Sequence, residues 1–456
     1  MRISSVVLLI SGLFASLAAS AQIIDSTQIV APGRANSAAQ QQKPYVIFIS
    51  ADGFRYDLAD KYHATNLLAL REKGVAAKAM RPSYPSVTFP NHYSLATGLY
   101  PAHDGLVDNT FFDPKKGRGY RISDRTAVED SSWYGGVPLW VLAERQKMVS
   151  ASFFWVGSET AVDGVRPTYY YRFNDKISVD TRLQAVKDWL TLPEDKRPHL
   201  ILFYMSWVDH AEHLYGPDSK ETEAAVHLVD DVMGRMTRMV DSLRLPVNYV
   251  FISDHGMAAT DTAHGVLIPA AIDTSKFRLS IDGTMLHLYA KDKKDIPGLY
   301  KTLKAAAAQS PSNGAAANAG SAATSGSEAA ANPANPNSSS DPGFDVYYPN
   351  ETPAYWHYRK SDDRYGRIGD ILLVTHFPRV FVSPGHMHVI PGEHGYDNAI
   401  PDMGATFYAW GPAFHEHQVI DKFDNVNVYP LIAHILGLTI SEPIDGSFKT
   451  LRGTLK

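Results

Sequence analysis

The chain has 456 residues, 45% of them hydrophobic and 20% charged, which allows one large α/β domain with insertions or two modest domains. A formal net charge of −5 supplies no basic field for a nucleic-acid polymer, so no such partner is expected. With no cysteine, disulfides, thiolate metal sites and a cysteine nucleophile are excluded, and any metal must be held by Asp, His and hydroxyl groups.

Residues 1–21 read as a secretory signal: Arg2, an apolar run from Val6 to Leu17, and Ala19-Ser20-Ala21 ahead of Gln22. The run is too short for a comfortable membrane span, so no span is expected after signal removal, and no cysteine follows it for lipidation. The simplest destination is a bacterial periplasm. Residues 22–43 are polar and read as a loose leader, and 44–456 as a single catalytic domain. Tyr45 to Ser50 is a continuous apolar run, as in a parallel strand covered on both faces, with Asp52 and Gly53 at its carboxyl end. Leu58 to Lys73 has helical spacing and stops at Gly74.

The stretch Tyr84 to His92 places Thr88 between Pro85 and Pro90, at the start of a helix that continues through Ser94 to Thr97 and ends at Gly98. A hydroxyl at such a bend is exposed, and the first amides of the helix favour an anion. Strand and helix signals then alternate. Ser150–Trp155, Leu200–Met205 and Val247–Ser253 read as strands, and Val179–Leu192 and Glu221–Leu243 as helices. Lys304 to Asp341 is mostly Ala, Ser, Asn, Gly and Pro and reads as a flexible surface insertion whose Ala-rich start can extend the preceding helix. Strands resume at Ile371–Val374, Val380–Ser383 and Thr406–Trp410, and Val428–Leu436 is a last helix. The alternation argues for an open, largely parallel sheet with helices on both faces, in which ligands collect beyond the carboxyl ends of strands.

Ligand-type residues fall at that rim in four places. Asp52 follows the first strand, Asp209 and His213 follow Leu200–Met205, Asp254 and His255 end Val247–Ser253, and His394 lies in the glycine-flanked stretch Gly392 to Asn398. On a helix, Asp209 and His213 face the same way and can share one cation. Asp254 and His255 need a bend to converge, which Gly256 can supply. Singly, each has an ordinary explanation as a capping Asp or a hydrogen-bonded His. Their joint position after buried strands points to a metal site. Oxygen and nitrogen ligands without sulfur suit zinc, manganese or iron better than calcium. Two dications would form a clamp for phosphoryl transfer and would lower the pKa of the otherwise unreactive Thr88 hydroxyl.

These residues resemble the nucleotide pyrophosphatase/phosphodiesterases of the alkaline phosphatase superfamily. The segments that carry the match are Ser50 to Arg55, Pro85 to His92, Val107-Asp108-Asn109, Asp209 to Pro217, and Ser253 to Met257 with Gly392 to Tyr396. They span roughly residues 44–440, apart from the low-complexity insertion. The resemblance implies an alkaline-phosphatase-like α/β fold and two zinc ions, one on Asp52, Thr88, Asp254 and His255 and the other on Asp209, His213 and His394. It implies a phospho-threonine on Thr88 that is then hydrolysed, with Asn109 and the amide near Thr88 holding the non-bridging phosphate oxygens. Phe89 and Tyr204 match a nucleobase-stacking pair, and Arg166 to Tyr171 is similar to a loop bordering the pocket. His92 and His103 are left as structural.

The implied activity is cleavage of small nucleotide phosphodiesters or pyrophosphates to nucleoside 5′-monophosphates. Glu212 departs from the family pattern, which usually has Gly before the metal His. The chain also ends soon after the core, without the nuclease-like and somatomedin-like domains of animal relatives. The alternatives are an alkaline-phosphatase-type phosphomonoesterase, a glycerophosphodiester or choline-headgroup phosphodiesterase with Phe89 and Tyr204 as a cation cage, and a non-catalytic metal-binding module that would not need Thr88. A monoesterase would want a Lys and an Arg close together, and Gly157-Ser158-Glu159-Thr160 offers neither. A sulfatase is disfavoured, since its usual Cys precursor is missing.

Overall fold

The computed structural model describes residues 25–308 and 342–456, so the expected signal and most of the low-complexity insertion lie outside the described residues. A nine-stranded sheet organises the chain. Its strands are β1 (Ile29–Val30), β2 (Tyr45–Ala51), β3 (Gly74–Ala77), β4 (Ser150–Phe153), β5 (Tyr169–Tyr171), β6 (Leu200–Met205), β7 (Val247–Ile252), β8 (Phe407–Trp410) and β9 (Gln418–Ile420). They lie in the order β1-β5-β4-β6-β2-β7-β8-β3-β9. The block β5-β4-β6-β2-β7 is parallel throughout, while β1 and β8 pair antiparallel with their neighbours.

The central strands are apolar along their whole length because each feeds two cores. Val46 and Phe48 of β2 enter one core, and Tyr45, Ile47 and Ile49 enter the other. Helix α1 (Thr88–Thr97) packs on the first face through Tyr93, Leu95 and Ala96. Helices α2 (Val179–Leu190), α3 (Trp207–Tyr215) and α4 (Lys220–Ser242) follow in the chain. In α4, Val226, Val229, Met233, Met236 and Val240 recur at alternating three- and four-residue spacing, so they form one stripe against the second core. Burying each such side chain contributes about 1.5–3 kcal/mol. Helix α5 (Ile296–Ala307) and helix α6 (Val428–Ile435) come later in the chain, and α6 packs beside α1.

Register sets the functional rim. Ser50 of β2 lies opposite Tyr204 of β6 and Ile252 of β7, so the three strands end level and their following loops meet. The chain leaves β2 toward one side for β3 and returns on the other through β4, β5 and β6, which makes the end of β2 the switch point where a crevice forms.

Two expectations are corrected, and a second sheet is added. The helix expected over Leu58–Lys73 breaks at His63 (φ 52°) into Leu58–Lys61 and Thr65–Glu72. The second piece starts against Asp230 of α4, which accepts from the Asn66 and Leu67 amides at 3.2 and 2.7 Å. From Asp25 onward the leader is not loose: β1 pairs with β5, and buried Asn36 donates to Glu194 O and Arg197 O at 2.8 and 2.7 Å. Residues 304–307 are the last turn of α5, so the Ala-rich start does continue the preceding helix. A second, antiparallel four-stranded sheet, unforeseen apart from Ile371–Thr375, is formed by Phe277–Asp282, Met285–Ala290, Ile371–Thr375 and Phe344–Tyr347.

Candidate active site

Thr88 is the first residue of α1, half-buried, after Val87 in extended conformation with no side-chain cap. The bend before it is clamped by buried Asn91, whose Nδ2 donates to Pro85 O and Val87 O, each at 2.9 Å, and whose Oδ1 accepts from the Ser83 amide at 2.7 Å. His92, fully buried, donates from Nδ1 to the Thr88 carbonyl at 2.9 Å and accepts from Ser50 Oγ at 2.8 Å, which ties the first turn to the sheet. The Phe89 amide donates to Asn109 Oδ1 at 2.9 Å, so the Asn109 NH2 group is turned the other way. The helix stops at Gly98, whose φ of 69° is left-handed.

The predicted ligands converge around this hydroxyl. His255 Nε2 lies 3.3 Å from Thr88 Oγ1, 3.0 Å from Asp254 Oδ2 and 3.6 Å from Asp52 Oδ1. Asp209 Oδ1 is 3.4 Å from His213 Nε2 and 3.7 Å from His394 Nε2, and the His255 and His394 rings stack with centroids 3.8 Å apart. Asp52, Asp254 and His255 form one compact ligand group; Asp209, His255 and His394 form a second. Gly53 makes the convergence possible. Its φ is 70°, a Cβ there would lie 2.9 Å from the Asp209 Cα, and its amide donates to Asp254 Oδ1 at 3.2 Å.

The donor set fits cations. His213, His255 and His394 each donate from Nδ1 to a backbone carbonyl (Gly392, Gly256 and Ser86) at 2.9 Å, which leaves Nε2 of each as the inward-facing atom. The Nε2 atoms of His213 and His394 face each other at 3.1 Å, so two lone pairs would oppose one another unless a positive charge lies with them. Asp52 Oδ1, Asp209 Oδ1 and Asp254 Oδ2 are buried with no hydrogen-bond partner, a costly arrangement for carboxylates that have no cation.

The electrostatics agree. Burial, then the charges of Asp254 and Asp209, push the Asp52 carboxyl well above the usual range. Burial opposes charge on His213, yet Asp209 wins and raises it to about 10. Burial also works against Asp209, but His213, His394 and His255 bring it down to about 2. Burial and the neighbouring imidazoles hold His394 well below its usual value.

Beside Thr88 opens a cavity of about 380 Å³, lined among others by Phe89, Phe154, Trp155, Phe173, Tyr204 and Glu159. Phe173 is 46% exposed there, while Tyr204 is buried and its hydroxyl donates to Asp52 Oδ2 at 2.5 Å. Arg125 also lines the cavity, with its charge met by Glu129 at 2.7 Å and Glu159 at 2.9 Å.

A family model described as type I phosphodiesterase / nucleotide pyrophosphatase matches residues 46–397. The chain belongs to this family. An uncharacterised pyrophosphatase/phosphodiesterase of Schizosaccharomyces pombe is 32% identical over 89% of this chain and 79% of its own length. Human ectonucleotide pyrophosphatase/phosphodiesterase family member 1 is 31% identical over 91% of this chain, which spans only 42% of that relative. Murine ectonucleotide pyrophosphatase/phosphodiesterase 5, solved as an inactive threonine-to-alanine form in complex with AMP, has a TM-score of 0.77 at 25% identity, over 91% of this chain and 100% of that one. The expected alkaline-phosphatase-like α/β fold is thus the fold of this pyrophosphatase/phosphodiesterase-family chain.

Within that family frame, Asp52, Thr88, Asp209, His213, Asp254, His255 and His394 form one contiguous cluster, with Asn109 on the Phe89 amide. Sequence reasoning missed Glu393, which groups with His213 and His394, and Phe173. Glu393 stood in plain view beside His394. Phe173 lies two residues beyond the loop expected at Arg166 to Tyr171, whose Tyr169–Tyr171 instead forms β5. Glu212 does not reach solvent: it is fully buried, both carboxyl oxygens lack a partner, and burial pushes its carboxyl up. His103 pairs with Asp445 at 2.7 Å. No helix among the described residues is long and apolar enough to cross a membrane.

Proposed function

We propose that this chain hydrolyses nucleotide phosphodiester or pyrophosphate bonds to nucleoside 5′-monophosphates through a phospho-threonine on Thr88, with two bound zinc ions, after export to the periplasm. The observation that carries this is Thr88 Oγ1 at the junction of two ligand groups, each of which contains a buried carboxylate oxygen with no hydrogen-bond partner. Asp52, Thr88, Asp254 and His255 would hold one ion, and Asp209, His213 and His394 the other. Bound there, the ions would lower the pKa of the Thr88 hydroxyl and offset the charge of the phosphoryl group.

The chain's own residues supply the rest. The Thr88 amide at the start of α1 and the Asn109 NH2 group donate to the non-bridging oxygens. Ionised Thr88 Oγ bonds to phosphorus as the bond to the leaving oxygen breaks. Water then cleaves the Thr88 ester, which releases the 5′-monophosphate and restores the hydroxyl. Phe89 and the exposed ring of Phe173 offer apolar faces for a base, whereas Tyr204 acts through its hydrogen bond to Asp52. A diester suits the cavity better than a monoester, because its Arg125 is already neutralised by Glu129 and Glu159.

Metal analysis of the purified protein, with turnover of bis-p-nitrophenyl phosphate, p-nitrophenyl phosphate, a dinucleotide and glycerophosphocholine, tests the proposal. Two ions per chain, preference for the nucleotide diester, and a loss of about 1000-fold or more in kcat for Thr88→Ala at unchanged metal content are expected. A monoester or glycerophosphocholine preference, or an active Thr88→Ala, rejects it. Expression in a Gram-negative host with N-terminal sequencing should give a mature chain that starts at Gln22.

A further inference from the structure

Behind Asn109 lies a buried pair that the reaction above does not use. Asp108 is 1% exposed and His287 is 0% exposed. His287 sits in the middle of the strand Met285–Ala290, paired on one side with Ser280 and on the other with Leu372, so its backbone is fixed by the small sheet. Its Nδ1 lies 2.8 Å from Ile368 O, and because a carbonyl can only accept, Nδ1 carries a hydrogen. Its Nε2 lies 2.7 Å from Asp108 Oδ2, a distance that demands one proton between the two atoms. The single proton sits either on Asp108, which leaves both partners neutral, or on His287 Nε2, which leaves a buried carboxylate–imidazolium pair. The other oxygen, Asp108 Oδ1, accepts from the Asn109 amide at 2.7 Å, and Asn109 Oδ1 accepts from the Phe89 amide at 2.9 Å. A continuous run of contacts therefore joins the small sheet to the first turn of the nucleophile helix.

We propose that Asp108 and His287 form an uncharged, proton-bridged brace, anchored on the small sheet, that fixes Asn109 at the angle from which its NH2 group meets the phosphoryl oxygens. The brace deepens the phosphodiesterase reading and rests on it for the role of Asn109. These are positioning residues, since both act through Asn109. Burial favours the neutral partners: it pushes the Asp108 carboxyl up to about 7 and holds His287 down at about 4. The neighbouring Asp282 carboxyl, itself pushed well up by burial and by the charge of Asp108, hydrogen-bonds Asp108 and acts on it in the lowering sense, as does the Asn109 amide, but burial outweighs both. With the proton on the carboxyl, Asp108→Asn is a close mimic: its Oδ1 still accepts from the Asn109 amide, and its Nδ2–H replaces the O–H toward His287.

The test uses metal-loaded enzyme and bis-p-nitrophenyl phosphate. Asp108→Ala should lower kcat about 10- to 100-fold with KM and metal content unchanged. Asp108→Asn should restore kcat to within about threefold of wild type. Asp108→Ala combined with Asn109→Ala should be no slower than Asn109→Ala alone, within about threefold, because both act on one contact. Wild-type kcat in Asp108→Ala, an Asp108→Asn as slow as the alanine variant, or additive losses in the double variant would overturn the brace. Nitrogen-15 spectra of histidine-labelled protein should show His287 as the neutral Nδ1–H form at pH 7, and an imidazolium signature there would overturn it without reference to turnover. An Asn109→Ala enzyme at full speed would instead strike at the assigned role of Asn109, with the His287 spectrum still reporting on the pair.

Discussion

Tyr204 and Phe173 show how much one residue's function depends on where its side chain ends. Both are aromatic and both line the cavity, yet the Tyr204 hydroxyl donates to Asp52 at 2.5 Å while Phe173 presents an exposed ring. Tyr204 is therefore suited to hold a ligand carboxylate in place, and Phe173 to meet a base. Phe173→Ala should raise KM for nucleotide substrates about 10-fold and leave KM for bis-p-nitrophenyl phosphate unchanged, since base–aromatic stacking is worth about 1–3 kcal/mol. Tyr204→Phe should do the opposite: about 10-fold weaker metal retention on dialysis and lower kcat for both substrates, with nucleotide KM untouched. Equal KM changes for both substrates in Phe173→Ala would remove it from base recognition. For Tyr204, the resemblance to the family implies a place in the nucleobase-stacking pair with Phe89. Its hydrogen bond to Asp52 crosses from β6 to the end of β2, a contact no local spacing reveals.

At the scale of elements, the rim of ligands is legible because parallel strands buried on both faces are uninterrupted apolar runs, and their carboxyl ends are where the pattern stops. Leu200–Met205 is such a run, and Asp209 and His213 follow it on one face of α3. The hairpin of the small sheet is also written locally. Phe277 to Asp282 alternates and is followed by Gly283 at φ 46°, after which Met285 to Ala290 pairs back with Asp282 opposite Met285. What local pattern does not carry is that this hairpin lies behind Asn109, because the contact between His287 and Asp108 joins residues far apart in the chain. The junction of elements at Gly53 is open to test. A Cβ there would meet the backbone of α3 and would need a left-handed φ, so neither side can yield cheaply. Gly53→Ala should cost about 1–3 kcal/mol in urea unfolding and reduce the number of ions retained. Full metal content at wild-type stability would mean that the two ligand loops are not held by this contact.

For the molecule as a whole, the central sheet brings three carboxylates and three imidazoles into one buried volume, and its stability should depend on what neutralises them. In chelated protein the Asp52 carboxyl is raised above its usual 3.8, so its favourable contribution is complete below pH 3.8 and is lost as pH rises. His213 is raised from 6.5 to about 10 by Asp209, so its contribution is complete below pH 6.5 and is lost as pH rises through about 10. The His213 term makes metal-free protein less stable from pH 6.5 toward pH 9. Loaded protein behaves in the opposite sense, because ions bind deprotonated ligands and have fewer protons to displace as pH rises. Ions that bind only the folded state add roughly RT ln(1 + [L]/Kd), about 2.7 kcal/mol at a hundredfold excess over Kd. The gap in Tm between zinc-loaded and chelated protein should therefore widen from pH 6 to pH 9 by calorimetry, with proton release on zinc uptake at pH 7.5. A gap that narrows with rising pH, or zinc uptake without proton release, would mean that His213 and Asp52 do not hold the ions.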